Sequence, residues 1–221
     1  VAHLVAVLTD ASQYEGVVAE LKANMKDVAT YYHATAQKSK RADDYQVASR
    51  WYRDYLASFP DDPESAATNY LLADTLFESK QYLDAAQEYE RTAYTYGPGE
   101  KAMAAGYAAI VAYGKQEESA SAEQKLAIHA QSLESSLKFA STYPQHPEVP
   151  QVLTRAATDL YAAKDLGRAA SVAQTLLARQ PPVDVTKQRV IEKQYNFLYE
   201  ILTGEPVYFG ERPRNAHHYM V

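Results

Sequence analysis

Apolar side chains recur along most of this chain at spacings of three and four residues. The first stripe contains Val17, Leu21, Met25, Val28 and Tyr32. Because a helix completes a turn in about 3.6 residues, these side chains share one face and predict an amphipathic helix over about 13–39. Similar stripes predict further helices over about 45–59, 64–79, 82–96, 100–114, 123–142 and 184–202, and a helix pair between Pro147 and Pro181.

One pattern of aromatic, small and helix-stopping residues occurs twice in the sequence. The residues Tyr45, Ala48, Tyr52, Phe59 and Pro60 are followed 37 positions later by Tyr82, Ala85, Tyr89, Tyr96 and Gly97. The stop recurs at Pro144 and Pro181, and the small residue recurs at Ala169. A fixed self-similarity of this length indicates a repeat architecture, in which each unit buries its apolar face against the next.

The spacing of the stops predicts an all-α chain built from helix pairs. The predicted order is an N-terminal helical segment over 1–26, helix pairs over about 27–60, 64–97, 100–144 and 147–181, a capping helix over 183–203 and an extended tail over 204–221. The third pair is ten residues longer than the others, and we assign the difference to a polar insertion at 115–124 between its helices. Asp43 and Asp44 are expected to cap the second helix.

Composition excludes several classes of protein and function. The 221 residues include no cysteine, which rules out disulfide scaffolds and thiolate metal sites. A net charge of −6 argues against nucleic acid as a partner. No apolar run approaches the roughly 18 residues of a membrane-spanning segment. Since the chain opens with Val1, we expect it to be a piece of a longer repeat protein.

Residues with catalytic or metal-binding chemistry do not form a known pattern. The sequence has no nucleophile elbow, no zinc-protease helix and no phosphate-binding loop. Asp61 and Asp62 precede a predicted helix, where capping explains them. The histidine pair His217 and His218 has no further ligands at metal-site spacing. We therefore expect no enzyme activity, no cofactor and no metal.

The repeat resembles the tetratricopeptide repeat. The stretches YQVASRWYRDYLASFP from Tyr45 and YLDAAQEYERTAYTYG from Tyr82 resemble the second helix of that repeat. The resemblance as a whole covers about residues 27–182. Ala36, Ala73 and Ala157 match the small residue of its first helix, where the third unit departs with a bulky isoleucine. The joints FPDDP and YPQHP are similar to those of bacterial barrel-assembly lipoproteins and Tol–Pal coordinators.

That resemblance implies a right-handed α-solenoid whose first helices line a concave groove for a protein or peptide segment. It implies a periplasmic or outer-membrane location, with the cytoplasm as the alternative. In this register the groove positions are His33, Gln37, Tyr70, Asp74, Phe77, Tyr107, Val111, Thr154, Thr158 and Tyr161. Some of these rings could instead pack against the neighbouring unit. The central acidic residues disfavour the family's clamp for C-terminal carboxylates.

Two other functions stay open at this point. The apolar ends, Val1–Thr9 and the helix at 184–202, suit a structural module that associates with itself or with further repeats. The chain could also regulate an enzyme whose catalytic part lies elsewhere. The aromatic, basic tail after residue 205 is either a mimic of the ligand in a groove or a loosely attached terminus.

Overall fold

The computed structural model of the chain describes residues 11–177, and every regular element in that range is an α-helix. The helices are α1 (Ala11–Ser39), α2 (Ala42–Ser58), α3 (Ser65–Glu78), α4 (Tyr82–Tyr94), α5 (Ala102–Ser119), α6 (Ala122–Thr142), α7 (Val149–Ala162) and α8 (Leu166–Leu177). The predicted all-α class is confirmed for this part of the chain. The predictions for Val1–Thr9, Pro181, the helix at 183–203 and the tail at 204–221 lie outside the described residues.

The chain divides into two compact units between His146 and Pro147. In the first unit, each helix from α1 to α5 packs against the helix that follows it in the sequence. In addition, α1 contacts α3, and α3 contacts α5. In the second unit, α7 packs against α8. Short connections therefore bring sequence neighbours together, as apolar stripes on consecutive helices require.

Helices α1 and α3 run in the same direction, as their cross-helix contacts show. Lys22 pairs with Asp62, and Lys26 pairs with Glu64. Near the other ends of the two helices, Gln37 Nε2 donates a hydrogen bond to Glu78 Oε1 over 2.8 Å. These partners are 40, 38 and 41 positions apart. A nearly constant offset along both helices requires a parallel arrangement.

Alanines lie where the helices approach most closely. The fully buried alanines of the first four helices are Ala29, Ala36, Ala48, Ala73, Ala85 and Ala86. A methyl side chain permits this approach, because a longer side chain would have to displace close-packed neighbours. Large side chains, among them Tyr52, Tyr55 and Leu76, fill the remaining interior. Four of these alanines, Ala29, Ala73, Ala85 and Ala86, belong with these large side chains to one core cluster in the first unit.

The polar stretch at 115–124 is helical except at Ala120 and Ser121, which corrects the prediction of a ten-residue insertion between helices. Helix α5 continues to Ser119, and only two residues separate it from α6. Ser121 forms a capping box with Gln124 at the start of α6. The Glu, Gln and Lys residues of this stretch are good helix formers, so polarity alone was a poor sign of a loop.

The predicted caps of α2 are also wrong. Its N-cap residue is Arg41, which makes no side-chain capping hydrogen bond. Asp43 and Asp44 lie within the first turn instead, where their negative charge suits the helix dipole. Asp44 also accepts a hydrogen bond of 2.6 Å from the Ser39 hydroxyl, which ties the ends of α1 and α2 together.

Three of the helix connections contain a lysine in the left-handed backbone conformation. Lys40, Lys80 and Lys164 have φ angles of 57°, 65° and 64°. After α3, the amide of Gln81 donates to Leu76 O and the amide of Lys80 donates to Phe77 O, as in a Schellman motif. Lys164 and the next residue, Asp165, repeat both bonds after α7. The same turn therefore closes both α3 and α7.

Candidate functional site

Helices α3, α4 and α5 enclose a pocket of about 310 Å³, called the aromatic pocket below. Its lining residues are Tyr70 and Phe77 from α3, Tyr89 from α4, and Ala104, Tyr107, Ala108 and Val111 from α5. Four of these, Tyr70, Phe77, Tyr107 and Val111, are groove positions predicted from the sequence. The structure thus brings together predicted residues that are up to 41 positions apart in the chain.

Each wall of the aromatic pocket follows from helical spacing. Tyr70 and Phe77 are seven residues apart and so lie on one face of α3. Between the ring walls, Ala104 and Ala108 present only methyl groups, which leaves the space open. Val111 is 39% exposed and lies at the solvent side. A pocket with these walls suits a side chain presented from outside.

Tyr89 is the most buried of the pocket rings, with 4% of its surface exposed. Its centroid lies 5.5 Å from that of Tyr70 and 6.5 Å from that of Phe77, both in edge-to-face geometry. Tyr107 is held from its other side, since its ring stacks on His146 at 5.5 Å and contacts Phe139 at 5.9 Å. The rings are therefore fixed by packing before any ligand arrives.

Asp74 lies beside the aromatic pocket rather than in its wall. It follows Tyr70 by one turn of α3, and Oδ1 accepts a hydrogen bond from the Tyr89 hydroxyl. Burial raises the pKa of Asp74, although the Tyr89 hydrogen bond and the nearby charges of His33 and Lys101 oppose this effect. Burial and the same hydrogen bond raise the pKa of Tyr89. A half-buried carboxylate thus contributes negative potential behind the rings.

One cation of the chain itself lies at the rim. Lys101 Nζ is 5.7 Å from the centroid of the Tyr70 ring, and it is 3.9 Å from a carboxylate oxygen of Glu100. About half of the Lys101 side-chain surface is exposed. This ammonium group lies over the Tyr70 ring and leaves the pocket accessible.

His33 and Gln37 connect helices and do not line the pocket. His33 is 7% exposed, and its Nδ1 lies 3.3 Å from the Tyr52 hydroxyl and 3.2 Å from Thr75 Oγ1. Its Nε2 lies 3.5 Å from Glu78 Oε2, the carboxylate that also accepts from Gln37. These contacts join α1, α2 and α3 through buried polar groups, which are costly to leave unpaired.

The three remaining predicted positions lie on α7, in the second unit. The Thr154 hydroxyl donates to Pro150 O over 2.7 Å, and the Thr158 hydroxyl donates to Thr154 O over 2.9 Å. Tyr161 is half-buried, with Lys164 Nζ 5.5 Å from its ring centroid. Their spacing places all three on one face of α7.

Sequence reasoning missed four residues of this region: Tyr89, Ala104, Ala108 and Lys101. Tyr89 repeats Tyr52 in the sequence, and a tyrosine at that position of the second helix indicates packing rather than ligand contact. Ala104 and Ala108 are four residues apart, on either side of Tyr107 in the sequence, and their small size is the available signal for open space. Lys101 precedes α5 and carried no signal in the repeat pattern.

Among residues 11–177, no group of three or more His, Asp or Glu side chains is arranged to hold a metal ion. In the same range, no helix has the length and apolarity to cross a bilayer. Comparison of the chain with models of protein families and with curated proteins gives no match.

Proposed function

We propose that this chain is a non-catalytic repeat protein of the tetratricopeptide type, which binds a protein segment in a groove lined by the first helices of its pairs. In this proposal the pairs stack as a right-handed solenoid. The observation that carries it is the aromatic pocket, which joins predicted groove residues of two successive first helices, α3 and α5.

Repetition within the structure supports the architecture. Contacts between α1 and α3 keep an offset of 38 to 41 positions, close to the sequence period. Ala48 and Ala85 are both fully buried, and the repeated tyrosines Tyr52 and Tyr89 are only 1% and 4% exposed. Lys40 and Lys80, which follow α1 and α3, share a positive φ angle of about 60°. Equivalent residues thus have similar burial in the α1–α2 and α3–α4 pairs.

The composition of the pocket supports a protein segment as ligand. Tyrosine and phenylalanine rings supply large contact areas and few rotatable bonds, and such residues contribute strongly at protein interfaces. Rings held by neighbours lose little entropy on binding, which favours affinity. Thr154, Thr158 and Tyr161 occupy the corresponding register positions on α7, and the proposal includes them as binding residues of the fourth pair.

A bacterial envelope location belongs to the same proposal. Its support is the FPDDP joint at 59–63 and the YPQHP joint at 143–147, which are similar to those of envelope repeat families. Immunodetection of the full-length protein in fractionated cells tests it, with recovery in the cytoplasmic fraction as the contrary result.

Capture from a bacterial envelope extract, followed by mass spectrometry, tests the binding function. The wild-type chain is compared with a Tyr70→Ala/Tyr107→Ala double variant and with Tyr31→Ala. Tyr31 is 66% exposed on α1 and does not line the pocket, so it serves as the matched control. A protein retained by wild type and Tyr31→Ala but lost by the double variant supports the proposal. Equal retention by all three contradicts it.

A further inference from the structure

The aromatic pocket has two features that an apolar groove does not require, a set of four aromatic rings around one space and a carboxylate next to those rings. Four rings, those of Tyr70, Phe77, Tyr89 and Tyr107, surround a single space. Immediately behind them lies the Asp74 carboxylate. Within the described residues, no lysine, arginine or histidine nitrogen forms an ion pair with Asp74. Among residues 11–177, the Asp74 carboxylate accepts its side-chain hydrogen bond from the Tyr89 hydroxyl.

Ring faces carry negative electrostatic potential, and they attract a cation within about 6 Å of the ring centroid. A phenol that donates a hydrogen bond to a carboxylate gains electron density in its ring, so Asp74 strengthens this property of Tyr89. Glu78, one turn beyond Asp74 on α3, adds negative charge near Asp74, although its own carboxylate contacts His33 and Gln37. The position of Lys101 Nζ over Tyr70 shows a cation already drawn to the rim.

We propose that the aromatic pocket receives the guanidinium group of an arginine side chain from the bound protein segment, an inference that rests on the proposed function. A flat guanidinium group can stack on ring faces while its charge is balanced by Asp74. Charge complementarity selects this occupant over a neutral apolar side chain. The pocket therefore recognises a basic residue of the partner protein. The incoming arginine displaces Lys101 from its position over the Tyr70 ring.

Two small probes that differ by one charge test the inference. N-acetyl-arginine methylamide and N-acetyl-citrulline methylamide have nearly the same shape, but only the first is cationic. Each is titrated into the full chain, and the ring-proton NMR signals of Tyr70 and Tyr107 are followed. We expect the arginine probe to bind at least about fivefold more tightly. Equal affinities, tighter citrulline binding, or shifts from neither probe at millimolar concentration overturn the inference.

Variants around the pocket separate charge from shape. Asp74→Asn keeps an oxygen that can accept from Tyr89 but removes the charge, and it should at least halve the preference for the arginine probe. Asp27→Asn, at an exposed carboxylate on α1, is the matched control and should leave the preference unchanged. Lys101→Met should raise affinity for the arginine probe and leave the citrulline probe unaffected. An unchanged preference in Asp74→Asn contradicts the role assigned to that carboxylate.

The two proposals fail in different ways. If the probes show no charge preference but a captured protein depends on Tyr70 and Tyr107, the arginine inference falls and the groove function stands. If the arginine probe is preferred but no protein depends on the pocket residues, the groove function falls and the cation site stands.

Discussion

The Tyr89 hydroxyl on α4 donates a hydrogen bond to the Asp74 carboxylate on α3. Tyr89 belongs both to the core and to the wall of the aromatic pocket. Tyr89 is nearly fully buried, and it occupies the repeat position of Tyr52, whose hydroxyl lies 3.3 Å from His33 Nδ1. In both the α1–α2 pair and the α3–α4 pair, a buried tyrosine of the second helix thus meets a polar group of the first helix. The repeated tyrosine supplies apolar area and satisfies a buried polar partner at once.

Tyr89→Phe should lower the free energy of unfolding by about 1–3 kcal/mol, because the half-buried Asp74 carboxylate loses its hydrogen bond. Equilibrium denaturation by urea measures the change. Tyr31→Phe on the exposed surface of α1 is the control and should stay within about 0.5 kcal/mol of wild type. Equal stability of Tyr89→Phe and wild type would mean that this hydrogen bond makes no net contribution.

Asp62 should make the stability of the first unit dependent on acidic pH. Burial alone raises the pKa of Asp62, but hydrogen bonds from Lys22 and Tyr55 and the charges of Lys22 and Lys26 outweigh it, so the folded pKa is lowered. A lowered folded pKa means that the unfolded chain binds more protons. The stabilisation is therefore complete above about pH 4 and is lost as the pH falls through the folded pKa.

The variant Asp62→Asn isolates this effect. Its free energy of unfolding should lie below that of wild type at neutral pH, and the difference should shrink as the pH falls below about 4. Asp61→Asn, at the neighbouring exposed position, is the control and should follow the wild-type pH profile. A difference for Asp62→Asn that is constant with pH would contradict the ion pair and hydrogen bonds assigned here.

Two glycines of α5 should respond to alanine in opposite directions. A Cβ at Gly106 would lie 2.9 Å from Phe139 Cδ2 and 3.1 Å from Tyr143 Cε2, whereas one at Gly114 would meet nothing within 4 Å. Gly106→Ala should therefore destabilise by about 1–3 kcal/mol through overpacking. Gly114→Ala should stabilise by about 0.5–1 kcal/mol through helix propensity. Thermal unfolding of both variants checks this, and equal shifts of the same sign would contradict the packing.

Lys80→Gly should stabilise the chain by up to about 1 kcal/mol, because Lys80 adopts a positive φ that glycine adopts without steric cost. The Schellman hydrogen bonds are made by the backbone and are retained in the variant. Lys38→Gly, within the last turn of α1, is the control and should destabilise by a similar amount. A lower melting temperature for Lys80→Gly would contradict the left-handed turn.

The helices and the small core residues were predictable because their signals are local. Three-residue and four-residue spacing defined α1 to α4, and the repeat placed Ala48 and Ala85 at the same buried position. The end of α5 was misplaced because a polar surface helix and a polar loop have similar composition. The positive φ of Lys80 was missed because lysine, unlike glycine, does not mark that conformation.

The pocket was only partly predictable, because pockets depend on pairs of helices. The repeat register alone predicts that Tyr70, Phe77 and Tyr107 lie on the groove-facing side of the first helices. Nothing in the sequence showed that His33 is buried against Tyr52 and Thr75, since a polar residue at a register position gives no sign of a tertiary partner. The place of Tyr89 in the pocket also required the packing of α4 against α3.

The dissociation constant of the captured protein segment measures the central claim most directly. It is determined by calorimetry for wild type, for Tyr70→Ala/Tyr107→Ala and for Tyr31→Ala, after circular dichroism has shown that each is folded. Removing two aromatic contacts should raise the dissociation constant of the double variant at least about tenfold, with Tyr31→Ala unchanged. An unchanged dissociation constant in a folded double variant would contradict binding in the aromatic pocket.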